Sequence, residues 1–442
     1  MRRDAARGLA PAGRRLGRAA AAFAAAALLA AALAGPAGAT SWQLEGRLGH
    51  RLFYGALAED LLQHELAYRL ALRVRPDWDG QVYVSVEGGV GLSSVTPSPF
   101  FEAPPENAWP ELDEAYGDLY LPMVDLRLGR QVVAWGTADG FNPTDVVNPR
   151  ASGLGSLATG EVSRLPVPAV RAAVFAGPRF AVTAVGVADF VPAPLPETLL
   201  KQRVESSSHV SLPDPWLALE EPQGRDRYEL GLRGEMALGA WDLYLSYFNG
   251  VEDWPALWVA LTPDSTVQVQ GRYRRQQHVG LALAGSVEGV GLWAEAAYVV
   301  PEEVPELETG PLTPLSDNEP RWEAIVGADY RWGDLHVSGQ LMGLQRRRLL
   351  SPYREPGVEG DGLYAIGLVR HSPPLGSTTW ELVTLASLRD GSAVVAPGVS
   401  HEIRPGLQLS ARYLAVVGDG GTELGALRDG VEGLATRLTW SF

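Results

Sequence analysis

The sequence predicts an all-β chain that closes into a transmembrane antiparallel β-barrel, and three observations predict it. Apolar and charged residues alternate with period two over stretches of around ten residues, longer than the five or six usual in soluble strands. Aromatic residues sit at the ends of these stretches on the apolar face (Tyr228, Trp241, Trp322, Trp332, Tyr413 and Trp440), as the interfacial girdles of a membrane barrel require. The opposite face carries Arg and Glu in mid-strand, which suits a water-filled lumen.

From the amino terminus, residues 1–18 hold Arg2, Arg3, Arg7, Arg14, Arg15 and Arg18 against one acid, Asp4. An Ala-rich apolar run follows and ends at Ala37-Gly38-Ala39. A basic region, an apolar region and a small-residue cleavage site predict a secretory signal peptide over 1–39, cut before Thr40, and a barrel over 40–442. As a membrane anchor the run is poor, because it is rich in Ala and interrupted by Gly35-Pro36. Without the leader the chain carries a net charge of about −20, a balance unsuited to nucleic-acid backbones. There is no cysteine, so disulfides and thiolate metal sites are excluded. Such a chain must hold together by packing or by closing a sheet. Lys201 is the only lysine, so nearly all the cationic contacts are the planar, forked ones that arginine makes.

The strand pattern begins almost at Trp42. "HELAYRLALRV" sets Leu66, Tyr68, Leu70, Leu72 and Val74 against Glu65, Arg69 and Arg73. "DRYELGLRGEMAL" sets Tyr228, Leu230, Leu232 and Met236 against Glu229, Arg233 and Glu235. "RWEAIVGADYRW", "LQLSARYLAVV" and "GLATRLTWSF" follow the same rule. Short connections (75–80, 121–125, 176–179, 237–241, 287–291, 331–335, 371–376 and 402–406) alternate with longer ones (92–112, 134–167, 191–225, 250–275, 300–320, 346–361 and 418–431). This is the alternation of periplasmic turns and long extracellular loops. The tally is about 18 strands, with 16 the alternative because 42–62 and 262–274 read either way.

The final strand, "LATRLTWSF", ends on Phe442 with Trp440, Leu438 and Leu434 on the same face. It resembles the C-terminal signal that outer-membrane barrels present to their assembly machinery. That resemblance implies the outer membrane of a Gram-negative bacterium, with its lipid, lipopolysaccharide and barrel assembly machinery as partners.

One stretch stands apart. "GRQVVAWGTADGFNPTDVVNPR", residues 129–150, closes a strand and then loses all alternation. Gly136 frees the backbone, and Asn142-Pro143 and Asn148-Pro149 make two turns around Asp145, because proline pushes the preceding Asn extended and leaves its side chain to bond nearby backbone. The combination G-R-Q-x-x-x-W-G with N-P-x-D-x-x-N-P resembles a group of poorly characterised porin-like outer-membrane proteins. The resemblance implies a long loop near the barrel mouth and names no substrate.

The candidate pore residues are Arg127, Arg130, Trp135, Asp139, Asn142, Asp145, Asn148 and Arg150; Trp440 and Phe442 are the candidate assembly signal. An ordered insertion of this length is usually functional, so the loop is expected to narrow the pore, with Asp139 and Asp145 facing Arg127 and Arg150 across the gap. The plainer alternative is a loop that caps the wall. Arg130 breaks the alternation, so it belongs either above the membrane band or beside a bulge near Gly129. The basic clusters 270–278 and 344–350 read as solvated loops, and 99–116 as a rigid acidic loop. The seven histidines show no metal spacing, and "ESSSH" (205–209) makes no triad.

No cofactor is implied, and no catalytic motif is present. The function expected is a non-enzymatic porin-like channel passing small solutes. A transporter of hydrophobic compounds, which tends to carry a plug for which the early strand pattern leaves no room, and an outer-membrane hydrolase are the alternatives.

Overall fold

The computed structural model describes residues 41–55, 62–76, 79–91, 111–150, 164–195, 197, 200–201, 204–205, 211–261, 267–304, 315–349, 353, 360–374 and 376–442. The expected signal peptide (1–39), the 99–110 part of the acidic stretch and Ser206–His209 lie outside these residues. Alternation has become strand wherever it was strong. The first seven barrel strands are β1 (Ser41–Gly55), β2 (Leu62–Arg75), β3 (Gly80–Gly91), β4 (Glu111–Leu121), β5 (Val124–Gln131), β6 (Val167–Phe175) and β7 (Phe180–Val187). After β8 (Leu217–Glu220) the wall continues with β9 (Glu229–Leu238) and β10 (Trp241–Val251). After β11 (Ala256–Leu261) and β12 (Val267–Arg272) it resumes with β13 (Arg275–Val287), β14 (Val290–Pro301), β15 (Arg321–Trp332) and β16 (Leu335–Leu344). It ends with β17 (Gly362–His371), β18 (Thr378–Ser387), β19 (Ala393–Arg404), β20 (Leu407–Val417) and β21 (Gly433–Ser441).

Eighteen of these strands form one antiparallel sheet, and β21 pairs with β1 to close it. Both ambiguities in the strand tally are thereby resolved: 41–55 is a single wall strand, and 267–272 leaves the wall altogether. Residues 111–116 of the acidic stretch are strand, part of β4, rather than loop. Short turns connect the strands at one end and mostly long segments at the other. The exceptions are 56–61, between β1 and β2, and 388–392, between β18 and β19, short connections on the long-loop side.

The outer face is apolar, with Leu230, Leu245, Leu281, Val326 and Leu341 all exposed. Aromatics cluster near strand ends: Trp322, Trp332, Trp380 and Trp440 are also exposed. A ring of this kind leaves no sheet edge unpaired, and only helices and closed barrels satisfy their backbone in lipid. The inner face buries Ser246, His278, Glu295, Glu323, Ser338 and Gln340.

On one side of the lumen the inner face is apolar as well. Phe53, Ile325, Met342, Tyr364, Leu385, Val394 and Leu414 pack there against Leu424, Leu427 and Val431 of the segment joining β20 to β21. Glu423 fixes that segment by accepting the Tyr364 hydroxyl at 2.8 Å, while its own amide donates to Asp390 at 2.8 Å.

At the long-loop end β11 pairs antiparallel with β12, and β12 pairs parallel with β8, in a separate three-stranded sheet. Leu212, Trp216, Leu257, Val259, Val269 and Leu315 form the apolar layer at this small sheet.

The end of the chain is stitched into the seam. The Gly46 amide donates to the Phe442 carbonyl at 2.9 Å, and the Phe442 amide donates back at 3.0 Å. The Phe442 ring lies over Gly46, where a Cβ would sit 2.2 Å from it, and 5.0 Å from Trp440. Since the ring remains 57% exposed, its removal costs little packing. Phe442→Ala keeps both backbone bonds. It is expected to lower the folded barrel recovered from cell membranes several-fold while leaving refolding in detergent unchanged. An equal loss in both settings would make the ring structural.

Candidate functional site

The distinctive stretch is built on itself before it touches anything else. Where β5 ends, the fully buried Gln131 donates to the Ala169 carbonyl at 2.8 Å, and the Val132 amide donates to Glu114 at 2.9 Å. Asn148 then ties the two ends of the loop together. Its Oδ1 accepts the Val133 amide at 2.6 Å, and its Nδ2 donates to the Leu165 and Gln131 carbonyls at 2.7 and 3.2 Å. Asp145 does the same one turn further in, accepting the Trp135 amide at 2.9 Å and Arg164 Nε at 2.6 Å. Arg150 stands 3.6 Å from the same carboxylate and donates to the Asn142 carbonyl at 3.0 Å. Asn142 Nδ2 donates to the Ala138 carbonyl at 2.6 Å. Each Asn and Asp of the motif is thus buried and bonded to loop backbone, as their short polar side chains favour in turns.

Trp135 is the apolar root of the loop. It is buried against Val147, Val167, Val185 and Phe248. Gly231 of β9 leaves the space it occupies, since a Cβ there would meet the indole at 2.6 Å. Gly136 follows at φ 94°, with Asn142 and Glu295 so close that a side chain would be excluded even without backbone strain.

Beyond Gly136 the loop leaves its own strands. Glu295, on the inner face of β14, accepts the amides of Thr137, Ala138 (2.7 Å) and Thr144 (3.2 Å), and the Thr144 hydroxyl at 2.7 Å. Gln340 of β16 donates to the Asp139 carbonyl at 2.9 Å and is itself oriented by Trp293 Nε1 at 3.0 Å. His278 of β13 donates Nε2–H to the Pro143 carbonyl at 2.9 Å. Phe141 reaches the apolar cluster of the far wall beside Met342. Counting strands round the ring, β14 is six from β5 and β16 is eight. The loop spans the interior of the barrel.

The structure therefore gathers Trp135, Asp139, Asn142, Asp145, Asn148 and Arg150 into one unit. It does not set Arg127 with them. Arg127 lies toward the short-turn end, forked onto Asp118 at 2.6 and 3.0 Å and stacked 3.8 Å over the Tyr116 ring. The expected opposition of charges is also arranged otherwise, since Asp145 and Arg150 stand side by side on the same segment. Asp139 keeps an exposed side chain.

Arg130 donates to the Asp113 carbonyl at 3.0 Å. The register shift lies on the far side of Asp113, between β3 and β4, while β5 pairs without interruption through Gly129 on both sides. Gly129 itself has φ 134°, and a Cβ there would lie 2.2 Å from the Ala115 carbonyl oxygen.

The two basic clusters are not solvated loops. Arg274 pairs with Glu252 at 2.5 Å, and Arg275 donates to the Asp226 and Tyr228 carbonyls. Arg347 pairs with Glu323 at 3.1 Å and Arg348 with Glu423 at 3.4 Å. Arg321 bridges Glu252 at 3.0 Å and Glu323 at 3.2 Å. Of these ions, Arg274, Arg321, Arg347, Glu252 and Glu323 border a cavity of about 210 Å³ between residues 141–150 of the crossing loop, the 252–255 segment and β13, β15 and β16. Burial alone would raise the Glu252 carboxyl, but Arg321 and Arg274 hold it below its ordinary range. No cluster of three metal-ligating side chains occurs among the described residues.

Reasoning from the sequence missed Glu295, Gln340 and His278. The available signal was weak, a single acid on the inward phase of the otherwise apolar run "WAEAAYVV".

No protein-family model matches the chain, and no curated protein matches it in sequence. Solved structures do match in fold. Acinetobacter baumannii OccAB4 is 9% identical with a TM-score of 0.52, over 91% of this chain and 97% of that one. Pseudomonas aeruginosa OccK1 (OpdK) is also 9% identical with a TM-score of 0.52, over 91% and 98%. OpdK with vanillate gives the same identity, score and coverage. What the likeness and the closed ring establish together is the fold, a closed 18-stranded antiparallel β-barrel similar to those of these Occ proteins.

Proposed function

We propose that the protein is a passive channel for small polar solutes across the outer membrane of a Gram-negative bacterium, with the long loops outward and the segment from Trp135 to Arg150 as its constriction. The observation that carries this reading is the anchoring of that segment to Glu295, Gln340 and His278 across the ring. A barrel of this many strands encloses an aqueous lumen unless something fills it. Here the crossing loop and the segment joining β20 to β21 fill part of it. What remains is bordered by paired charges, a lining that favours hydrated polar solutes. Among the described residues, the apolar cluster of the lumen is packed against Phe141, Leu424 and Leu427 rather than left open as an apolar track, which weighs against a carrier of hydrophobic compounds.

In the same reading lipid and lipopolysaccharide surround the outer face, and the assembly machinery reads Trp440 and Phe442. The test is uptake by liposomes carrying the refolded protein. Small sugars and amino acids should enter at rates that fall steeply with size, and planar bilayers should show discrete conductance steps. Sealed liposomes with a heat-resistant, folded barrel would reject the channel.

A further inference from the structure

Among the described residues that line the cavity, Asp253 is a carboxylate that no ion pair accounts for. It is the second residue after β10, and its backbone carbonyl accepts the Ala193 amide at 3.1 Å. Its carboxyl has no hydrogen bond and no ion pair among the described residues, although it lines the cavity beside Glu252. Charged or titratable groups reach it from several elements. The crossing loop brings Arg150 and Asp145, its own segment Glu252, and the connection after β16 brings Arg347. Glu229 of β9 and Tyr273 after β12 complete the surroundings.

Most of these groups are already committed. Glu252 is held by Arg274 and Arg321, Asp145 by Arg164, and Arg347 by Glu323. Among the described residues, five guanidiniums and six carboxyls line the cavity. With Asp253 protonated the lining is balanced, and with Asp253 ionised it carries one net negative charge.

We propose that Asp253 determines the ion preference of the passage, its carboxylate turning a balanced constriction into one that favours cations. The inference rests on the channel reading above. A charge on the wall of a narrow, partly desolvated passage acts on a passing ion far more strongly than the same charge in bulk water. The switch falls in an accessible range, because burial pushes the carboxyl up to about 7, with Arg150 opposing the rise and Glu252 and Asp145 adding to it. At acid pH the group is neutral, and as pH rises through neutrality it becomes charged.

The experiment is the reversal potential of the full-length refolded barrel in a planar bilayer under a KCl gradient, read at pH 6 and pH 8. The wild-type ratio of K⁺ to Cl⁻ permeability should rise roughly twofold or more between them. Asp253→Asn should hold the pH 6 value throughout, and Asp253→Glu should restore a response. Heat-modifiable mobility on gels establishes that each variant is folded. A response retained in Asp253→Asn would assign it to another group, His278 included, and overturn the proposal. A conducting wild type with no response would do the same while leaving the channel intact. Absence of conductance from a folded barrel would overturn both readings.

Discussion

Replacing Glu295 by alanine is expected to raise single-channel conductance about threefold, close to the value reached by deleting residues 138–147 outright. Three backbone amides, from Thr137, Ala138 and Thr144, converge on this carboxylate together with the Thr144 hydroxyl. Bonds to a charged acceptor contribute roughly 1.5–3 kcal/mol each, and amides left buried without one add their own cost. Losing even two such bonds shifts a seated-to-released ratio by about a hundredfold. The strand itself has no need of the carboxylate, because its ladder bonds to β13 and β15 are backbone. The barrel should therefore keep its heat resistance. Glu295→Gln retains one acceptor oxygen but turns an amide toward the donors, so it should fall between alanine and wild type. A conductance unchanged in Glu295→Ala would show that the loop holds its place without the far wall.

Asp145→Ala should act at the root of the same loop. The carboxylate is wholly enclosed, with 0% of its side chain exposed, and it serves the Trp135 amide, Arg164 and Arg150 at once. Removing one partner of a buried ion pair costs about 3–5 kcal/mol because the remaining charge is stranded. That cost falls on the loop, since the wall strands keep their ladders. Amide hydrogen exchange in peptides covering 131–150 should accelerate by about two orders of magnitude while strand peptides stay protected. Asp145→Asn, which keeps the acceptor for Trp135 but loses the charge, should show a smaller change. Exchange that accelerates equally in β5, β6 and the loop would mean that Asp145 supports the barrel as a whole.

What local physics dictates is legible in the sequence. Alternation of Leu230 and Leu232 with Glu229 and Arg233 is a property of neighbouring residues, and lipid on one side with water on the other leaves a strand no choice of face. The motif around Asn142, Asp145 and Asn148 was legible as turn chemistry for the same reason, since most of the backbone these side chains bond lies within the loop and its root. The partners across the lumen were not legible. Glu295 lies 158 residues from Thr137, and nothing near it in sequence distinguishes a latch from any other inward-facing acid. Runs of arginine such as those holding Arg274 and Arg347 are usually solvated, and only the assembled ring brings Glu252 and Glu323 beside them. Residues 267–272 alternate well enough to be strand, but whether such a strand joins the wall or a small sheet at its mouth depends on the length of the connections around it.

The pairing of β1 with β21 also constrains the order of events in assembly. Nearly the whole chain must exist before its first strand can find its last, and joining ends so far apart carries a large entropic penalty that local hairpins do not bear. Until that moment the curled sheet has two open margins, each a row of unpaired amides and carbonyls able to capture another molecule. The interior is equally unfinished, because Glu295 and the tip of the crossing loop belong to regions that a partly rolled sheet has yet to bring together. Once the seam has zipped, any segment that was left outside is barred by a continuous wall. The lumen must therefore be furnished before, or together with, the last strand, so that a slow-seating loop delays closure and an early closure traps an empty barrel.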